Sequence, residues 1–287
     1  MRRALTWSAT LIVVVALSGC ASTAGTAYPG NTLDRIKASK RITFGYRESS
    51  VPFSSVGPEG KAVGYSIDLC NRVAADLRRD LQVPDLDVKW VPVTVESRVR
   101  ALRDGTIDLE CGSTTNTLAR QAEVDFSLTT WVTGGSLLVL REQKPSDLRN
   151  LRIAVIPGTT TERILKEALA RVDDVRWVPV KDHTEGRTAL ETRAADAYAS
   201  DREILIGLVL TAADPLQFAL ADRYFSYEPY GLMLRRGDPD FRLAVDRSLA
   251  RLYRSGDVLL IYKRWFGSLG GPDALMLATY AISGLPE

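Results

Sequence analysis

The tetrapeptide WVPV occurs twice, at residues 90–93 and 177–180, and the segments around the two copies share one order of elements. VKWVPVTVESRVRALRDGTIDLECG, from Val88, and VRWVPVKDHTEGRTALETRAADAYAS, from Val175, each read as a strand, a short helical stretch with an Ala-Leu pair, and a second strand carrying an Asp. The register differs by one residue, Trp90 to Asp108 against Trp177 to Asp196. Another strand and helix precede each copy: KRITFGYRESS then YSIDLCNRVAADLRRDL, and LRIAVIPGTT then TERILKEALARV. This order specifies an α/β chain with two strand-helix-strand-helix-strand lobes built on parallel strands.

In open parallel sheets, ligands collect at the carboxyl ends of strands, where loops and helix N-termini gather. The sequence offers four such ends, two per lobe: Gly45-Tyr46-Arg47-Glu48, Gly112-Ser113-Thr114-Thr115-Asn116, Pro157-Gly158-Thr159-Thr160 and Ser200-Asp201. The second runs on as ECGSTTNTLAR, whose N–H groups, hydroxyls and Arg120 suit an anion, although a polar turn with a surface Arg fits that loop alone. Thr159 to Glu162 has capping-box spacing, so Thr159 either caps a helix over 160–172 or meets a ligand. Val95, Arg98, Val99 and Leu102 fall at i, i+3, i+4 and i+7 in a helix opened by Thr94, which puts a guanidinium at a core position. A buried Arg needs an anion, either a ligand or a carboxylate such as Glu96 or Glu110.

The 287 residues are 45% hydrophobic and 25% charged, a globular composition with room for two lobes. MRRALTWSATLIVVVALSGC reads as a secretory signal, 1–19, ending in Leu17-Ser18-Gly19-Cys20, which resembles the bacterial lipobox with lipidation at Cys20. Residues 20–32 read as a flexible tether. Removing 1–19 takes away two arginines and no acid, so the 37 basic residues fall to match the 35 acidic ones. A neutral domain has no basic field for nucleic acid, and any anion selectivity is local. Cys70 falls on the apolar side of a helix and Cys111 in a strand, which favours two buried thiols over a bridge. With one His, His183, and no nucleophile–base motif, the sequence points away from metal chemistry and catalysis.

GYRESSVPFSSVGPEGKAVGYSIDL, RALRDGTIDLECGSTTNTLARQAEVDFS, IPGTTTE, KDHTEGRTALETRAADAYASD and YGLMLRRGDPDF together resemble the extracytoplasmic solute-binding proteins for polar amino acids. The resemblance is greatest to the glutamate/aspartate branch that serves ABC importers, and it covers about residues 33 to 266. It implies the type II periplasmic-binding-protein fold: two lobes with mixed, mostly parallel sheets, joined by a two-crossover hinge that closes over one amino acid. The implied division is 33–134 with 230–287 for lobe 1 and 135–229 for lobe 2.

Carried over position by position, the resemblance implies that Arg120 forks onto the ligand α-carboxylate, helped by Ser113 and Thr115, with Thr159 reaching from the other lobe. Asp201 is similar to the acid that pairs with the α-ammonium, and Arg47, Arg98 and His183 match positions around a side-chain carboxylate. The branch places a hydroxyl where this sequence has Val95. Three arginines against Asp201 leave a positive excess that a dicarboxylic amino acid balances. If His183 donates to the ligand, its pKa is expected to rise on binding. The alternatives are glutamine or another polar amino acid as ligand, or a dehydratase-like enzyme on the same fold. The expected partners are an amino acid, ABC permease subunits and a membrane reached through the lipid anchor; the protein is expected to be a monomer without cofactor, outside the cytoplasm.

Overall fold

The computed structural model describes residues 31–143, 149–222 and 224–287; the signal segment, Cys20 and the tether up to residue 30 lie outside the described residues. Asn31 opens helix α1 (Thr32–Ser39), its side-chain oxygen accepting from Asp34 N at 3.0 Å. Strand β1 (Arg41–Tyr46) leads into a small antiparallel sheet of β2 (Ser49–Ser50), β3 (Ser54–Val56) and β4 (Ala62–Val63). Helix α2 (Tyr65–Asp80), β5 (Asp87–Pro92), α3 (Arg98–Arg103), β6 (Leu109–Cys111), α4 (Leu118–Gln121) and β7 (Val124–Phe126) follow. The chain leaves through β8 (Trp131–Thr133) and enters β9 (Gly135–Leu140). It then forms β10 (Arg152–Val155), α5 (Thr160–Ala168), β11 (Arg176–Pro179), α6 (His183–Glu191), β12 (Ala197–Asp201), α7 (Arg202–Leu210) and β13 (Phe218–Leu220). It returns by β14 (Glu228–Tyr230) to β15 (Met233–Arg235) and ends in α8 (Pro239–Ser255), α9 (Val258–Phe266) and α10 (Ala274–Ser283).

Two five-stranded sheets result, in the orders β5-β1-β6-β15-β7 and β11-β10-β12-β9-β13. The first three strands of each run parallel, and the fourth is antiparallel to both neighbours. The sheets are therefore mixed rather than purely parallel. Strands β9 and β15 arrive from the crossovers without a helix, so nothing obliges them to run parallel.

The sequence duplication has a structural counterpart. The two WVPV strands, β5 and β11, are the corresponding edge strands of the two sheets. Asp108 Oδ2 accepts from Thr43 N at 2.8 Å while Asp108 N donates to Thr43 O at 2.7 Å. In the other lobe Asp196 does the same to Arg152, at 2.8 Å in both directions. Each Asp thus pins the start of its sheet by satisfying backbone groups that an apolar residue would leave exposed. Alternation within β10 shows how the sheet feeds two cores: Ile153 and Val155 pack with Ala197 and Ala199 on one face, Ala154 and Ile156 with Tyr198 on the other.

Helix α2 lays Leu69, Cys70, Val73 and Leu77 into the first core. Cys70 and Cys111 form a disulfide, with Cα atoms 6.2 Å apart. This corrects the expectation of two free thiols. The apolar face of α2 lies on the end of β6, and the separation is within bridging range. The crossovers β8 and β14 pair antiparallel, Thr133 opposite Glu228 and Trp131 opposite Tyr230. Trp131 stacks on Phe266 at 4.1 Å between ring centroids, which fixes this ladder to the first lobe.

Candidate functional site

All four strand ends named above open onto one cavity between the lobes, lined by Arg47, Val95, Arg98, Ser113, Thr115 and Arg120 from one side. Ile156, Thr159, Thr160, Thr161, His183, Ala199, Ser200, Asp201 and Ile204 line it from the other. The eight residues singled out from the sequence are all among them. Thr160 and Ser200 enter the sequence reading only as members of strand-end segments, beside Thr159 and Asp201, and Thr161 only as part of the stretch from Thr159 to Glu162.

Three guanidiniums face this space, and none forms an ion pair among the described residues. Arg47 is 4% exposed, and its side chain has no hydrogen-bond partner there either. Arg98, also 4% exposed, donates from Nη1 to Thr114 Oγ1 at 2.6 Å, and Thr114 Oγ1 donates to Glu110 Oε2 at 2.9 Å. Of the two carboxylates considered as its partner, Glu110 is the buried one and reaches Arg98 only through a hydroxyl; Glu96 is exposed. Arg98 is the first residue of α3; in the turn ahead of it Thr94 and Ser97 exchange hydrogen bonds, and Arg98 N donates to Thr94 O at 3.1 Å. Arg120 donates from Nη1 to Thr115 O at 2.8 Å. Burial, and next the Arg98 charge, lowers both Arg47 and Arg120 to about 10.

Glu110 explains Gly112. A Cβ at Gly112 would stand 2.0 Å from Glu110 Oε1, so the loop can fold over that carboxylate only without a side chain there. Glu110 Oε1 is buried with no hydrogen-bond partner among the described residues, an acceptor held behind the arginines.

The other wall is built on acids and hydroxyls. Asp201 ends β12, is 7% exposed, and accepts from Thr161 Oγ1 at 3.0 Å and from Tyr230 OH. It makes no side-chain cap to α7. Burial, and next the Glu228 carboxylate, pushes the Asp201 carboxyl up to about 7. Thr159 caps α5: its Oγ1 accepts from Glu162 N at 3.1 Å and donates to Ile156 O at 2.8 Å. The helix itself spans Thr160–Ala168, shorter than the sequence pattern suggests. Since the Thr159 hydroxyl is committed to the turn, what this corner can offer a ligand is the first-turn N–H groups, which have no partner inside the helix.

His183 starts α6 and is 5% exposed, with Nδ1 2.7 Å from Tyr198 OH. Burial, then Arg47 and Arg98, lowers it to about 3. The imidazole is neutral at physiological pH, and Asp201 is the group of the cavity whose value lies near neutrality.

Glu110 entered the sequence argument only as a rival partner for Arg98, and Glu228 not at all. Glu228 is 0% exposed and accepts at Oε2 from Thr115 Oγ1 at 2.6 Å and Thr160 Oγ1 at 2.7 Å. The Thr115 hydroxyl spends its proton on Glu228, so in this arrangement it is no donor to a carboxylate. No local signal in SYEPYG marks Glu228, because its importance comes from two loops distant in sequence. Among the described residues no cluster of three or more His, Cys, Asp or Glu is arranged to hold a metal, and no helix is long and apolar enough to cross a membrane.

A charged cleft between two mixed α/β lobes, spanned by two adjacent crossovers, defines a binding protein of the periplasmic type II fold. The model of the bacterial extracellular solute-binding proteins, family 3, matches residues 42–268, and the chain belongs to that family. It is 37% identical over 264 residues to the glutamate/aspartate import solute-binding protein of Escherichia coli K12, covering 90% of this chain and 87% of that protein. It is 37% identical over 251 residues to the L-glutamate/L-aspartate-binding protein of Pseudomonas aeruginosa, covering 86% and 83%. A solved ABC uptake transporter substrate binding protein from Streptococcus pneumoniae with bound histidine superposes with a TM-score of 0.75. That likeness, at 18% identity over 85% of this chain and 99% of the other, is one of fold.

Proposed function

We propose that this protein binds an acidic amino acid, glutamate or aspartate, between its lobes outside the cytoplasm and delivers it to an ABC import permease. The observation that carries this reading is three guanidiniums without an ion pair among the described residues, on one wall of a cavity whose facing wall presents Asp201. Arg120, with Ser113 and the first-turn N–H groups of α5 beside Thr159, takes the α-carboxylate. Asp201 takes the α-ammonium. Arg47 and Arg98 take the side-chain carboxylate, with His183 as a neutral partner. The 37% identity to two glutamate/aspartate-binding proteins supports the same assignment.

Lobe 1 comprises residues 33–134 and 230–287, lobe 2 residues 135–229, and the β8–β14 ladder is the hinge. Ligand contacts reach from both lobes, so the ligand binds the closed arrangement more tightly and draws the equilibrium toward it. Expulsion of water then strengthens each charged contact. The permease reads the closed form, and a lipid on Cys20 keeps the monomer at the membrane. No cofactor takes part and no covalent step is needed.

Glutamine is the second candidate, favoured by one specific feature: Glu110 and Glu228 stand behind the arginines and offset part of their charge. Calorimetric titration after unfolding and refolding to strip bound ligand, with glutamate, aspartate and glutamine, decides between them. Tighter binding of either acid than of glutamine is expected; a preference for glutamine overturns the acidic assignment.

A further inference from the structure

Glu228 collects a hydroxyl from each lobe. Thr115 follows β6, Thr160 begins α5, and their oxygens lie 3.3 Å apart while both donate to Glu228 Oε2. Ser226 Oγ donates to the remaining oxygen, Oε1, at 2.7 Å. A hydroxyl has one proton, so Thr115 and Thr160 present only lone pairs to the cavity. Tyr230, two residues on and therefore on the same face of β14, donates its hydroxyl to Asp201. One face of the crossover strand thus turns a corner of the cavity into a set of acceptors: two hydroxyl oxygens and a carboxylate.

We propose that Glu228 is a positioning residue for the ligand's primary ammonium: it orients Thr115 and Thr160 as acceptors from opposite lobes and so selects for an amino group over its absence. The proposal rests on an amino acid being the ligand. It assigns Thr115 to the ammonium rather than to the α-carboxylate. Because one hydroxyl comes from each lobe, the acceptor set is complete only in the arrangement that brings both onto Glu228.

The test is calorimetry on the refolded full-chain protein with glutamate and with glutarate, which has both carboxylates and no ammonium. Wild type is expected to favour glutamate by at least about a hundredfold. Glu228→Gln should lose roughly tenfold for glutamate and stay within about threefold for glutarate, so the ratio collapses. Glu228→Gln should also move the low-pH loss of glutamate affinity to lower pH, since Asp201 no longer has that charge beside it. A role limited to holding the fold would lower both ligands together and leave their ratio unchanged, which overturns the proposal. Thr160→Val, with an unchanged melting temperature, gives the same ratio test should Glu228→Gln fold poorly. Wild type binding glutarate as tightly as glutamate overturns the proposal and leaves the acidic assignment standing. Wild type preferring glutamine overturns the acidic assignment, and Glu228 is then judged on glutamine against its ammonium-free analogue. Binding of no amino acid overturns both.

Discussion

The two lobes share a scaffold and differ in chemistry, and the difference begins at one level of the sheet. At the strand starts they are alike: Asp108 and Asp196 pin the same backbone neighbours. Two residues further along they part, since Glu110 in β6 stands where Tyr198 stands in β12, both buried behind the cavity. Beyond that level the first lobe presents Arg47, Arg98 and Arg120, while the second presents Thr159 to Thr161, neutral His183 and Asp201. Repetition is kept where backbone pairing demands it. It is abandoned at the carboxyl ends, where a ligand with unlike ends needs unlike partners.

The largest expected effect tests the asymmetry of covalent support. Only the first lobe holds a disulfide among the described residues, closing a loop with a sequence separation of 41. By loop-closure entropy, Cys70→Ser with Cys111→Ser should cost about 4 kcal/mol of stability. Urea denaturation measures it, and an unchanged midpoint would mean the bridge constrains little. Next is Arg120→Ala, expected to cost about 3 kcal/mol of affinity for glutamate, aspartate and glutamine alike, because every amino acid has the α-carboxylate. Calorimetry showing near-wild-type affinity in a folded variant removes Arg120 from that role.

Arg47 and Arg98 sharpen the contrast within the cationic wall. Arg47→Met should weaken glutamate about tenfold more than glutamine, yet leave the ligand-free melting temperature unchanged or higher, since a buried cation without a side-chain partner among the described residues is a cost to folding. Arg98→Ala should show the same selectivity with a lowered melting temperature, because it strips the Thr114–Glu110 network of its charge partner. Matching thermal shifts for the two variants would contradict this distinction.

The gentlest effect belongs to the acidic wall. The Asp201 carboxyl titrates at about 7 in the ligand-free site, and an ammonium beside it favours the carboxylate and lowers that value. On the proposed reading, glutamate affinity should therefore be full above about pH 7 and decline as pH falls through it, by about tenfold from pH 8 to 6. Titrations across that range should keep the slope in His183→Gln, whose parent imidazole is already neutral. A slope that vanishes in that variant would return the titration to His183.

Much of the fold was legible because repeated strands and helices are local patterns, and the four strand ends follow from a general rule of parallel sheets. Arg98 was legible as a charge in an apolar stripe. Other features depend on distant segments meeting. Nothing near Cys70 says that α2 lies on the end of β6, nothing near Glu228 says that Thr115 and Thr160 reach it, and His183 loses its charge to burial among arginines from the other lobe. The strand pattern alone shows the parallel core of each sheet, while the antiparallel strands enter through the resemblance, since β15 reaches the first sheet only after the second has been built.

The short β8–β14 ladder also has a mechanical consequence. Two strands bonded side by side form a ribbon that resists in-plane shear and bends readily across its thickness, so if this ladder is the hinge the lobes would move chiefly along one soft coordinate. Glu228 sits on this ribbon opposite Thr133, close to the pivot, where side-chain displacements are smallest for a given rotation. The lobe tips, at the far end of the lever, travel furthest. On the proposed reading, a small adjustment around the ligand's amino group would be geared up into a larger change of outline for the permease to sense.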